Sequence, residues 1–202
     1  MTEHYSSILP RVAIVALAAT AIGGCGVNSV PKAEEVAKAK WADVQAAFQE
    51  RANLFANLAA VAKGAGVLEK STQVDVTNAR SKASSIQLNP GDLSDPAKMK
   101  AFQDAQAQLA GGLGRLLVSV EAYPDLKANQ SYLMLQSQVE GSENRIRITI
   151  KDYNEAVRAY NTTIRTFPDA IGAKVIYGAK PMVPYEAVTP GANVAPSLDG
   201  KV

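Results

Sequence analysis

The chain is 202 residues long with a formal net charge of +2, and its acids and bases are mixed so evenly that no run of basic residues marks a nucleic-acid or anionic-lipid surface. Its single cysteine, Cys25, excludes an intrachain disulfide, and a chain of this length can bury a core that needs no such staple. The single histidine, His4, stands near the start of the sequence.

The first element in chain order is apolar. Val12 to Gly26 reads VAIVALAATAIGGCG, and its strongly apolar part, Val12 to Ile22, falls short of the ~20 residues that a membrane-spanning helix needs. It matches instead the ~7–15 residues of a signal-peptide core, although Arg11 is the only strong base ahead of it and Glu3 works against the signal. Ile22-Gly23-Gly24-Cys25 sets a branched apolar residue three positions before the thiol with two tiny residues between, which resembles the bacterial lipobox. That resemblance implies cleavage before Cys25, a thioether from Cys25 to diacylglycerol, and a fatty acyl group such as palmitate on the new amine. Several acyl chains on one residue make a stable anchor where one would not. Residues 1–24 are therefore expected to be a lipoprotein signal peptide and 25–31 a tether, with membrane lipid as the partner of Cys25. Gly26, rather than Asp, after the cysteine implies the outer membrane, facing the periplasm, if the cell is Gram-negative. A short uncleaved anchor is the alternative.

Residues 32–177 read as a helical bundle. Ala, Glu, Lys, Gln and Leu dominate from Pro31 onward, and Trp41, Val44, Phe48, Phe55, Leu58 and Ala62 recur at three- and four-residue steps, predicting one long helix from Lys32 to Ser84. Gly64 and Gly66 predict a bend or interruption within it. After the Asn89-Pro90-Gly91 turn signal, Asp95-Pro96 supplies an N-cap and a first-turn proline for a second helix, which carries Met99, Phe102, Leu109, Leu113, Leu116, Leu117 and Val120 and must stop by Tyr123. A short loop at Tyr123-Pro124-Asp125 predicts an antiparallel third helix from Leu126 or Lys127 to Arg165. Its Val139, Ile146, Ile150, Tyr153, Val157, Tyr160, Ile164 and Phe167 keep a coiled-coil-like seven-residue seam that puts Ser142 or Glu143 against the core. Asp169 to Tyr177 predicts a short fourth helix, and the Pro- and Gly-rich residues 178–202 predict a disordered tail. The fold class is thus all-α, an antiparallel up-and-down bundle of three long helices and a short fourth.

Chemistry is sparse. With His4 in the expected signal and Cys25 converted to a thioether, neither an imidazole nor a thiol remains for catalysis, and no cofactor or metal is implied. The carboxylate pairs Glu34-Glu35, Asp92 with Asp95, and Glu140 with Glu143 read as solvated faces. Gly111-Gly112-Leu113-Gly114-Arg115 lies inside a helical pattern, so it reads as small residues admitting a neighbouring helix rather than a phosphate loop. A carboxylate at Glu143 requires a cation, with Arg115, Arg51 or Lys127 as candidates. Tyr123, Tyr132, Tyr153 and Tyr160, with Asn154 and Asn161, read either as a polar-aromatic binding strip or as core with hydroxyls at its rim. The glycosylation-type triplets at Asn129 and Asn161 are incidental in a bacterial lipoprotein.

Glu121-Ala122-Tyr123-Pro124-Asp125-Leu126-Lys127-Ala128-Asn129, then Glu143-Asn144-Arg145-Ile146, Asp152-Tyr153-Asn154 through Tyr160-Asn161, and Thr166-Phe167-Pro168 together resemble the signature segments of the LemA family. Arg51 to Leu58 with Val61, Lys63 and Gly64 is similar to that family's upstream stretch, with Ala56 where a proline is usual. The resemblance covers Trp41 to Tyr185. It implies an up-and-down bundle of about four helices, attached to a bacterial envelope membrane at its N-terminus, with no established enzymatic activity, and a lipidated cysteine here replaces the usual transmembrane anchor. The motif residues Tyr123 to Asn129, Glu143, Asn144, Arg145, Tyr153 and Asn154 are expected to be structural. The expected role is a non-catalytic scaffold or protein-interaction module of the cell envelope with an envelope-protein partner. The alternatives are an accessory subunit of an envelope enzyme, such as a protease or phosphatase-like partner, and a lipid or small-ligand carrier.

Overall fold

The computed structural model describes residues 28–66 and 70–186, with side chains at 28–66 and 74–186. The expected signal peptide, Cys25 and the last part of the expected tail, 187–202, lie outside the described residues. Within them the chain is all-α: α1 Ser29–Gly64, α2 Lys70–Ser85, a 3-10 turn Pro90–Ser94, α3 Pro96–Val120, α4 Pro124–Lys127, α5 Gln130–Thr163 and α6 Asp169–Val175. No described helix is long and apolar enough to cross a membrane.

Local chemistry sets most boundaries. Asp95 caps α3 by accepting from the amides of Ala97 (2.9 Å) and Lys98 (3.2 Å), with Pro96 in the first turn as the sequence predicts. Asn129 does the same for α5, accepting from Ser131 (2.9 Å) and Tyr132 (3.3 Å). The predicted third helix therefore starts at Gln130, and Pro124–Lys127 forms a separate single turn before it. The long first helix is two. Gly66 adopts φ +73°, a left-handed conformation that side chains resist, and α2 folds back so that its Val76 and Ala83 join Phe55, Leu58 and Ala62 in one core. The half-length fourth member of the bundle is thus α2, while the predicted short helix, α6, caps one end. Within the expected tether, Ser29–Pro31 already belong to α1 and Val30 is fully buried.

The bundle runs up, down, up, down. Arg51 meets Glu143 and Trp41 meets Tyr153, so α1 and α5 are antiparallel; Phe48 meets Phe102 and Phe55 lies against Gly112, so α1 and α3 are parallel. Gln106 of α3 bonds Ala83 of α2, closing the remaining pair antiparallel. The stripe predicted on α1 is buried throughout, as are the α3 positions apart from half-buried Leu117. On α5 the seam holds from Val139 to Ile164, but Phe167 is 76% exposed, because α5 ends at Thr163 and the heptad no longer aims residues beyond the helix.

The core is divided in two. One cluster centres on Trp41, Phe48, Phe102, Tyr153 and Val157, with edge-to-face ring contacts of 5.2 Å between Trp41 and Phe102 and 5.4 Å between Phe48 and Phe102. The other gathers Phe55, Leu58, Leu109, Leu113, Leu116, Leu126, Tyr132 and Val139. Each large side chain buried in them contributes roughly 1.5–3 kcal/mol over its exposed state.

Candidate functional site

Arg51 lies between the two clusters, 4% exposed, and ties the bundle together at that level. Its Nη1 donates to Glu143 Oε1 of α5 (3.2 Å), and its Nη2 donates to both the backbone carbonyl and the side-chain Oε1 of Gln106 of α3 (3.0 Å each). Gln106 in turn donates from Nε2 to the Ala83 carbonyl of α2 (3.4 Å), so one polar layer engages all four bundle helices. The guanidinium carbon stands 4.9 Å from the Phe48 ring centroid, a cation–π placement that helps offset desolvation. Ser142, also buried, satisfies itself on the Val139 carbonyl at 2.8 Å. Of the cations considered as partners for Glu143, the fold selects Arg51, and it reverses their burial: the arginine is interior, while the Glu143 side chain is 40% exposed. Gln106 carries no charge and no motif, so its role is not visible in the sequence.

The remaining motif residues do not converge on one place. Arg145 is exposed and pairs with Glu50 of α1, and exposed Asn144 accepts from Arg147 at 3.4 Å. Glu143, Arg145 and Asn154, a trio whose convergence would mark a site, therefore point to three different partners. At the corner between α3 and α5, Leu126 is buried, Lys127 pairs with Glu121, and Tyr123 and Asp125 are exposed.

The two Tyr-Asn pairs of α5 form a clamp. Residues 178–186, placed by composition in a disordered tail, run extended along α5. Tyr153 and Tyr160 donate their hydroxyls to the carbonyls of Val183 (2.9 Å) and Lys180 (3.1 Å). Asn154 accepts from the backbone amide of Tyr185 (2.8 Å) and donates to the Tyr185 carbonyl (2.9 Å), and Asn161 accepts from the Met182 amide (2.9 Å) and donates to the Met182 carbonyl (2.8 Å). The spacing has a simple origin. Seven residues of helix rise about 10.5 Å and three residues of extended chain about 10 Å, so partners seven apart on α5 match partners three apart on the strap. The strap also donates from the Val183 amide to the Leu93 carbonyl of the 3-10 turn (2.8 Å), and it buries Met182 and Tyr185, the latter 5.7 Å from the Phe48 ring. Burial pushes the Tyr153 hydroxyl far above its usual pKa, that of Tyr185 up to about 12, and that of Tyr160 upward. Tyr153 and Tyr160 are thus core side chains whose hydroxyls, with Asn154 and Asn161, hold this chain's own backbone, whereas Tyr132 is buried in the other cluster and Tyr123 is exposed at the α3–α5 corner.

Several carboxylates are held by cations or backbone amides. Glu34 and Glu35 both hold Lys38, Asp92 accepts from the Asn89 amide and pairs with Lys98, and no group of three metal-ligating side chains occurs among the described residues. Of the glycines in α3, only Gly112 lies against a neighbouring helix, with space for a Cβ 3.4 Å from Phe55, whereas at Gly114 a Cβ would meet nothing. A cleft of about 270 Å³ between α1 and residues 83–87 is lined by the glutamines Gln45, Gln49, Gln87 and Gln106 beside Phe48, Ile86 and Phe102, a wall unlike that of an apolar lipid carrier.

These features define a helical bundle whose polar groups lock its own elements. The chain belongs to the LemA family, whose pattern it matches over residues 40–199. It is 31% identical to Protein LemA of Metamycoplasma hominis over 124 residues, 61% of this chain and 52% of that protein. It is also 26% identical to Magnetosome protein MamQ 2 of Paramagnetospirillum magneticum over 183 residues (82% and 66%), and 26% identical to Magnetosome protein MamQ of Magnetospirillum gryphiswaldense over 152 residues (66% and 55%). The chain thus spans between half and two thirds of the length of these relatives.

Proposed function

We propose that this protein is a lipid-anchored, non-catalytic scaffold of the bacterial cell envelope that presents a rigid helical bundle to an envelope-protein partner. Membership of the LemA family and the magnetosome relatives support the coarser reading, a membrane-associated bacterial protein. The observation that carries the non-catalytic reading is the use made of the buried polar groups: Arg51, Gln106, Tyr153, Asn154, Tyr160 and Asn161 all bond to other elements of the same chain. An active site would need such groups aimed at a shared empty position.

The 36 residues of α1 rise about 54 Å. With Cys25 as the lipid attachment point, the corner between α3 and α5 stands at the far end of that length, and Val118, Tyr123, Leu133 and Met134 are exposed there. Those positions are the proposed contact surface. Photocrosslinking amino acids placed at Leu133 and Met134 in living cells should capture one reproducible envelope protein, identified by mass spectrometry. Recovery of lipid and bulk proteins alone would refute the scaffold reading. Capture of a protease or phosphatase whose activity falls when this chain is deleted would favour the accessory-subunit alternative.

A further inference from the structure

The opposite end of the bundle carries an apolar surface of its own. Phe167, Ile171, Val175 and Ile176 are 76, 59, 78 and 60% exposed. Ala173 seats α6 on the core, and at 100° per residue Ile171 and Val175, two positions either side of it, both face away from the protein. Beside this surface, Arg158 and Arg165 line an open groove with Asn161, Thr162, Thr166 and Pro184, and Lys174 extends from α6. None of these three cations forms an ion pair among the described residues; of the acids near them, Asp169 accepts from the Ser29 hydroxyl at 2.7 Å and keeps its charge, and Glu34 and Glu35 share the single Lys38. Exposed Glu186 stands at the far end of the strap. The cations are seven or more residues apart in sequence, so no basic run announces them.

We infer that this end is a bilayer-contact face, with Phe167, Ile171 and Val175 entering the headgroup–acyl boundary and Arg158, Arg165 and Lys174 meeting anionic phospholipid headgroups. The inference rests on Cys25 as the lipid attachment point. Ser29 is bonded to the first residue of α6 and stands four residues from Cys25, so the acyl chains must enter the membrane within about 14 Å of this surface. A gap of that width barely admits a helix, about 10–12 Å across, let alone a folded partner. Apolar side chains at such a face sink about 5–10 Å into the boundary.

Tryptophan quenching tests it. The full-length lipidated protein is reconstituted into vesicles of phosphatidylethanolamine and phosphatidylglycerol with brominated acyl chains, and vesicle flotation is read on the same samples. The native Trp41 is 2% exposed and supplies a constant background. Emission of Ile171→Trp and Val175→Trp should be quenched about twofold, as for an indole at the headgroup–acyl boundary, and that of Ile148→Trp, exposed midway along α5, should be unchanged. Changing Arg158, Arg165 and Lys174 to Gln should reduce the quenching, each basic residue near an anionic surface being worth about fivefold in partition. Flotation without quenching at 171 overturns this inference and leaves the anchor standing. A concentration-dependent dimer that protects position 171 assigns the face to a second copy and overturns it as well. Equal quenching at 148 means that the bundle lies flat, which also contradicts it, and a chain that fails to float contradicts anchor and face together.

Discussion

Changing Arg51 to Ala removes three charge-assisted donations at once and leaves Gln106 unsatisfied in the core, so stability should fall by about 2–3 kcal/mol. Glu143→Gln should cost under ~1 kcal/mol, because that carboxylate is 40% exposed and its pair is screened by water. Urea denaturation of both variants decides the matter, and equal losses would show that the carboxylate, not the guanidinium, organises the layer. The sequence makes half of this layer legible. A polar position at Ser142 or Glu143 is implied by the heptad, but which of the two partners is buried depends on how α1, α3 and α5 meet, which no single helix encodes. Tyr185 adds a dependence on pH. Burial raises its pKa from 10.0 to about 12, so the unfolded chain releases the proton first. Its contribution to stability is complete below pH 10, declines as pH rises through 10 to about 12, and amounts to about 2–3 kcal/mol. The alkaline fall in urea midpoint should therefore be shallower in Tyr185→Phe, the remaining fall coming from buried Tyr153 and Tyr160.

The strap shows how an element can hide from its own composition. Residues 178–186 are rich in Pro, Gly and small residues, which on their own cannot bury enough surface to order. Their order comes from α5, where two Tyr-Asn pairs seven residues apart are the readable signal, once helical rise is set against that of an extended chain. Asn154→Ala and Asn161→Ala each delete two bonds and should each lower stability by about 1–2 kcal/mol. The double variant should lose less than the sum, since a strap released at one clamp has already loosened at the other. Hydrogen exchange at the Met182 and Tyr185 amides should accelerate in both single variants, and unchanged protection would refute the clamp. Gly114 offers the opposite case. In mid-helix with nothing near a Cβ, Gly114→Ala should raise stability by about 0.5–1 kcal/mol in the same urea assay. The helices themselves are largely legible because capping and apolar stripes act locally. The fold-back at Gly66 is legible only as an interruption, because a glycine permits a turn without specifying where the chain goes next.

Across the bundle as a unit the ends differ. One end gathers the start of α1, α6 and an apolar, basic face; the other holds the α3–α5 corner about 54 Å away along α1. Of the motif residues, Lys127 and Arg145 are spent on ion pairs, Asn129 on a helix cap, and Asn154 and Asn161 on the strap. Attachment to a membrane through Cys25, with the bundle standing free, is the proposal on which the orientation of both ends depends. Metabolic labelling with an alkyne fatty acid, with purification and mass spectrometry of the N-terminus, puts it to the test. The wild-type chain should begin at Cys25, carry the label and fractionate with membranes, and Cys25→Ala should lose the label while keeping its helical circular-dichroism spectrum. Label retained in Cys25→Ala, or a mature chain that still begins at Met1, would rule out attachment through this cysteine.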